Sequence, residues 1–181
     1  MDSRALLPGN VHLYDNLRGT PMTIKVGDKI PSATLNIMTE DGPDAITTDD
    51  LLAGKTVALF GVPGAFTPTC SAKHVPGFVA NAEALKAKGV DAIGCISVND
   101  PFVMGAWGKD QGVGDKVMML ADGSAMFTKA AGLELDLTER GLGVRCQRFA
   151  MIVKDGVVQS IEIDAAGAFD KTSAESVLSS L

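Results

Sequence analysis

Only two histidines, His12 and His74, and three cysteines occur in the 181 residues, and no two cysteines form a Cys-x-x-Cys pair. A structural zinc centre needs about four such ligands in paired spacing, and a thioredoxin-type dithiol needs the Cys-x-x-Cys itself. Neither is expected, and no metal or cofactor is implied. Three widely spaced cysteines also do not make the disulfide framework of a small secreted domain, so a reducing compartment fits better. Basic residues are in the minority: 16 Lys and Arg against 22 Asp and Glu leave a net charge of −6, which argues against a nucleic-acid binder with its basic face. No apolar run approaches the roughly 18 residues needed to cross a bilayer, so no membrane partner is expected. Nucleotide motifs fail as well. Gly54-Lys55-Thr56 resembles the end of a P-loop, but Asp49 stands where its first glycine belongs, and the segment precedes a strand instead of following one. Gly141-Leu142-Gly143 lacks the third glycine of a dinucleotide fingerprint and reads as a loop.

What is present is the composition of an ordinary soluble domain, 46% hydrophobic and 21% charged, at a length that buries one sizeable core. An N-terminal extension is expected over residues 1–22 and a single domain over 23–181. The extension carries Arg4 and Arg18 but also Asp2 and Asp15, a poor transit peptide, and either a trimmed presequence or a functional arm fits it.

Ala33–Ile37 reads as a short strand and Gly42-Pro43 as a turn. Val57 to Val62, opened by Gly54-Lys55 and closed by Pro63-Gly64, is a buried strand. From Ser71 to Lys88, residues Val75, Phe78, Val79, Ala82 and Leu85 recur at helical spacing, with Gly89 beyond the last turn. Val90–Val98 is a near-continuous apolar strand of the kind covered on both faces, which completes a right-handed βαβ unit. A helix follows from Asp100-Pro101 to about Gln111, then a strand over Val117–Leu120 and a short helix over Ser124–Ala131. Arg148–Val153 and Val157–Ile163 flank Asp155-Gly156, a strong hairpin signal. Ser173–Leu181 closes the chain as a helix. The order predicts an α/β core with an antiparallel hairpin at its edge.

Cys70 sits where the first βαβ strand ends and its helix begins. Unpaired N–H groups and the positive end of the macrodipole at such a point favour a thiolate over a thiol, which makes Cys70 a candidate nucleophile. A cysteine taken at random is more often buried and inert, but here two prolines and Thr67 restrict the preceding turn, and the Thr67 hydroxyl lies about one turn before the sulfur. His74, four residues on, shares its helical face and is a candidate to line the pocket, a packed or solvent-facing role being the alternative.

Pro63, Thr67 and Cys70 fit Pro-x-x-x-Thr-x-x-Cys, and the string from Gly61 to Cys70 resembles the type II, peroxiredoxin-5-like branch of the peroxiredoxins. The resemblance continues through His74-Val75-Pro76-Gly77-Phe78, Ile96 to Val103, Leu120-Ala121-Asp122-Gly123 and Arg148-Phe149-Ala150-Met151, covering nearly all of Ile24–Leu181. It implies a thioredoxin-like fold with a central mixed sheet flanked by helices, in a homodimer. It further implies a thiol peroxidase that reduces hydrogen peroxide and alkyl hydroperoxides through a sulfenic acid, regenerated by glutaredoxin/glutathione or thioredoxin, in the cytoplasm or an organelle stroma or matrix.

Carried over residue by residue, the resemblance makes Arg148 the arginine that holds the thiolate and donates to the peroxide, with Arg145 the lesser candidate. Thr67 would hydrogen-bond the peroxide and Pro63 would shield the sulfur. Cys95, 25 positions after Cys70, matches the proposed resolving cysteine of plant-like relatives; a buried structural thiol is the other reading. The C-terminal resolving position of animal relatives has no cysteine here, since Lys171 and Ser173 stand in that region. Cys146 matches no role. An alternative function is a redox-sensing protein that signals peroxide to a partner through Cys70 oxidation. A thiol–disulfide oxidoreductase is disfavoured by the missing Cys-x-x-Cys.

Overall fold

The computed structural model describes residues 22–181, so the extension expected over 1–22 lies, Met22 apart, outside the described residues. β1 (Thr34–Thr39) and β2 (Gly42–Thr47) form an antiparallel pair, followed by α1 (Thr48–Leu52), β3 (Thr56–Gly61) and a π-helical turn (Cys70–His74). That turn runs into α2 (Val75–Ala80) and α3 (Ala82–Ala87), and β4 (Ala92–Ser97), α4 (Pro101–Asp110), β5 (Met118–Ala121) and α5 (Met126–Ala130) come next. The chain ends with β6 (Glu134–Leu137), β7 (Gly143–Cys146), β8 (Phe149–Lys154), β9 (Val157–Ile163) and α6 (Ala174–Ser180).

Seven strands make one sheet in the order β2-β1-β5-β4-β3-β8-β9. β3, β4 and β5 run parallel at its centre, and the outer strands are antiparallel. This is the expected mixed sheet. The period of two along each strand divides the core. Ala58, Phe60, Ile93, Cys95, Ala150 and Ile152 face the layer of α2, α3, α4 and α6, where Phe78, Leu85 and Trp107 meet them. Leu59, Ile96, Phe149, Met151 and Val153 face the opposite layer with Phe127 and Leu133.

Four expectations need correction. Gly42-Pro43 is not a turn but the start of β2, with the chain reversing at Glu40–Asp41; β2 is the outermost strand, where a proline's missing N–H breaks no ladder bond. Ser71–Lys88 is not one helix. It begins as the π turn and breaks at Asn81 (φ −97°, ψ 6°), whose side-chain amide donates to the Gly77 carbonyl at 2.9 Å in competition with the helical ladder. β6 and β7, absent from the expected element list, form a separate antiparallel ribbon, and Gly143 is the first residue of β7 instead of a loop residue. The ribbon's residues alternate too weakly in hydrophobicity to announce strands, because neither face is fully buried. α5 is shorter than Ser124–Ala131, since Ala125 is left-handed (φ 55°) and the Asp122 carboxylate caps the helix through the Phe127 and Thr128 N–H groups. The 155–156 hairpin is present, with positive φ at Asp155 and Gly156 as a type I′ turn requires.

Candidate active site

The loop after β3 brings Cys70 to its position through helix chemistry. Ser71 N–H donates to the Thr67 carbonyl at 3.0 Å, so Thr67 opens the helix and Pro68 occupies the first position, where a missing N–H costs nothing. Cys70 stands in this first turn and is fully buried. It also starts the π turn, in which Val75 N–H reaches back five residues to the Cys70 carbonyl. Such bulges concentrate at functional sites.

Arg148 comes from the far side of the sequence. Directly before β8, it falls in phase with Ala150 and Ile152, on the face that carries Cys70. Its three nitrogens take three partners: Nη2 lies 3.4 Å from Cys70 Sγ, Nη1 3.0 Å from His74 Nδ1, and Nε donates to the Ala168 carbonyl at 3.1 Å. The Phe169 ring sits 5.7 Å beneath the guanidinium carbon. Arg148 has no carboxylate partner among the described residues, so its charge is directed at the sulfur.

His74 is fully buried, against Phe60, Phe78 and Phe169. Its Nε2 lies 2.9 Å from the Thr172 carbonyl, which can only accept, so Nε2 carries the proton and Nδ1 accepts from Arg148. Burial, together with the Arg148 charge, pushes the imidazole down to about 3, and it is neutral at physiological pH. The carbonyls of Ala168 and Thr172 are held in turn by Asp164, whose carboxylate accepts from the N–H groups of Asp170 and Lys171 and from the Thr172 hydroxyl. Burial alone would raise the Asp164 carboxyl, but these bonds outweigh it and bring the group below its usual range. Asp164, Phe169 and Thr172 escaped the sequence reading. An aspartate directly after a strand, six to eight residues from the groups it caps, was the available signal.

Thr67 Oγ1 donates to the Gly64 carbonyl at 2.7 Å, and Pro63 is half-buried above the sheet end. The structure therefore groups Cys70, His74 and Arg148 in direct contact, with Thr67 and Pro63 in the loop over them. Arg145 is not in contact with the sulfur: its Nε donates to the Leu142 carbonyl at 2.7 Å and Nη1 to the Val98 carbonyl at 3.4 Å. Cys95 is fully buried on central strand β4, facing the same cluster as Cys70. Burial raises its thiol well above the usual range, with Cys70 and Cys146 adding to the effect. Cys146 lies on the other face, its thiol pushed up to about 12 by burial. All three cysteines are unpaired.

A family model described as Redoxin matches residues 25–178. The chain is 52% identical over 168 residues to Peroxiredoxin-2E, chloroplastic, of Arabidopsis thaliana, spanning 90% of this chain and 72% of that protein. It is also 52% identical over 159 residues to Peroxiredoxin-2B of the same plant, spanning 87% and 98%. The chain belongs to the peroxiredoxins. The crystal structure of reduced Prx3 from Vibrio vulnificus in complex with H2O2 superposes on this peroxiredoxin with a TM-score of 0.84 at 49% identity, covering 87% of this chain and 99% of the other. The fold is thioredoxin-like and the protein is a thiol-dependent peroxidase, an oxidoreductase.

In this peroxiredoxin a cavity of about 410 Å³ opens at the loop that leads into Cys70, lined by Pro63, Thr67, Thr69 and Arg148 among others. A larger one, about 670 Å³, lies between β1, α4 and β5 around Met38 and Met119, and none of the site residues above lines it. Chemistry decides between them: the 410 Å³ cavity, with an adjoining one of about 290 Å³, is lined by Pro63 and by Arg148, the residue whose guanidinium meets the Cys70 sulfur. No helix among the described residues is long and apolar enough to cross a membrane.

Proposed function

We propose that Cys70 is the peroxide-reducing nucleophile of this enzyme, acting on hydrogen peroxide and small alkyl hydroperoxides through a sulfenic acid. The main support is the Arg148 guanidinium, 3.4 Å from the sulfur and without a competing carboxylate among the described residues. The thiolate attacks one peroxide oxygen; an S–O bond forms, the O–O bond breaks, and sulfur gives up two electrons. The departing oxygen leaves as water or an alcohol after taking a proton from solvent. A planar fork that faces sulfur can also donate to the oxygen that gains charge. Thr67 spends its proton on Gly64, so its oxygen remains free to accept the peroxide O–H. Pro63 covers the sulfur against water, and neutral His74 keeps Arg148 in plane.

Positioning outweighs ionisation here. Lowering any thiol from about 8.5 to about 6 raises the thiolate fraction at pH 7 roughly 30-fold. A Brønsted slope of about 0.4–0.5 removes roughly 10- to 18-fold of that through lost nucleophilicity. The remaining rate comes from orienting the peroxide and stabilising its leaving oxygen.

Regeneration is assigned to an external thiol, glutaredoxin/glutathione or thioredoxin, which condenses with the sulfenic acid to a mixed disulfide and water. Cys95 is buried and protonated, so resolution by Cys95 would require β4 to open. A reducing compartment, cytoplasm or organelle stroma, agrees with three free cysteines and chloroplast-named relatives. A homodimer is supported by the exposed aromatics Phe66 and Phe102 beside the site loops, and sedimentation as a single 18.8 kDa chain would count against it.

Cys70→Ser tests the core of the proposal. A serine hydroxyl stays protonated at neutral pH and forms no sulfenate, so peroxide consumption with any reductant is expected to vanish. Turnover retained in that variant would refute the assignment.

A further inference from the structure

All three arginines of the described residues, Arg140, Arg145 and Arg148, line the 410 Å³ cavity that reaches Thr69, the residue before Cys70; every other basic side chain among the described residues, His74 apart, is a lysine. No acidic residue lines it, and none of the three has a carboxylate partner among the described residues. In a chain of net charge −6, this lining is basic, while Glu134 and Asp164 border the adjoining cavity of about 290 Å³ that shares Pro63 and Arg148 with it. Arg148 is committed to the sulfur. Arg145 is braced by two carbonyls against the site loop, where Gly64 leaves it room: a Cβ there would lie 3.1 Å from its Nη1. Arg140 projects from the turn after β6 and is exposed.

The β6–β7 ribbon supplies the rest of the wall. Leu135 and Leu137, two residues apart on one strand, share a face, and Leu142 follows in the connection. Hydrogen peroxide uses neither an apolar wall nor a second and third cation. The cavity's 410 Å³ is more than ten times the roughly 30 Å³ share of a water-sized molecule.

We propose that this cavity selects hydroperoxides that carry a carboxylate on an apolar chain: the chain against the leucines, the carboxylate at Arg140 with Arg145 behind it, and the O–O bond at Cys70. The inference rests on Cys70 as the peroxide-reducing residue and specifies its substrate. Arginine's fork matches a carboxylate where lysine offers a point charge. A peptide thiol with carboxylates, such as glutathione, shares the anionic chemistry, but a polar tripeptide makes no use of the leucines.

Trp107 reports the reaction without added label. It is the single tryptophan, and its indole N–H donates to Oγ of Ser71, the residue after Cys70, at 3.0 Å. In stopped-flow oxidation of the reduced full chain, without reductant, a medium-chain hydroperoxy acid is compared with its methyl ester, and hydrogen peroxide is the reference. The acid is expected to react several-fold faster than the ester at low ionic strength, with the ratio falling toward one in molar salt. Arg140→Gln, at an exposed position with no side-chain bond to lose, should cut the ratio at least about threefold, and Arg140→Glu should favour the ester. Equal wild-type rates for acid and ester at low salt would overturn the proposal. So would an Arg140→Gln variant with an unchanged ratio that reacts more slowly only when glutathione reduces the sulfenate, since the cavity would then serve the reductant. Failure of all three peroxides to oxidise the wild type would instead refute Cys70 as the nucleophile, and the substrate proposal with it.

Discussion

Arg148 shows how much one side chain can be asked to do: a carbonyl, an imidazole and a sulfur each take one of its nitrogens. An ammonium cannot divide itself in this way. Arg148→Lys is therefore expected to lower the peroxide rate about a hundredfold or more, while the thiolate fraction, followed by ultraviolet titration, falls much less. Equal losses in rate and ionisation would show that the guanidinium only tunes the thiol, and the same damage from Arg145→Ala would move the role to Arg145. Much of this site was legible in the sequence. Cys70, Thr67 and Pro63 share one short loop, His74 follows Cys70 by a single turn, and the peroxiredoxin resemblance singled out Arg148 at the head of an apolar strand. The groups that hold the site from behind were not. The Thr172 carbonyl meets His74 across 98 residues, and the chain connecting them carries no periodic pattern that could reveal such a contact.

The strands and helices were legible wherever one face is fully buried. β3, β4 and β8 are apolar nearly throughout and announced themselves. β2, β6 and β7 stay partly exposed, so turn residues such as Gly42-Pro43 and Gly143 read as breaks in the chain. The helix over Ser71–Lys88 kept its periodicity but lost its continuity, because neither the i+5 hydrogen bond to Cys70 nor the Asn81 side-chain competition alters the apolar spacing. Cys95 belongs at this scale because its accessibility depends on a whole strand. Cys95→Ser should lose any intramolecular disulfide seen by mass spectrometry yet keep substantial glutaredoxin-linked turnover. Burying a hydroxyl there costs about 1–3 kcal/mol, so circular dichroism must first show the variant folded. Loss of turnover with every reductant in a folded variant would make Cys95 obligatory.

Across the whole molecule, the neutral imidazole ties stability to pH. His74 in the folded state sits at about 3, against about 6.5 unfolded, so unfolding takes up a proton anywhere between those values. Its contribution is complete above about pH 6.5 and is lost as pH falls toward 3, about 2 kcal/mol by pH 5. Asp164, also depressed, adds its loss only at still lower pH, below its unfolded value near 3.9. Urea unfolding at pH 7 and pH 5 should therefore show a fall in stability that His74→Gln largely abolishes; the same fall in that variant would assign the proton uptake elsewhere.

The position of Cys95 on β4, between two parallel partners at the middle of the sheet, also bears on redox poise. Amides of such central strands exchange only through openings that approach global unfolding. A bond from Cys95 to Cys70 that forces β4 from its neighbours would give up part of the free energy of the sheet, and its reduction would return that energy. By linkage such a couple would lie at a more oxidising potential than an unstrained disulfide. The sheet would thus bias that pair of cysteines toward the reduced state.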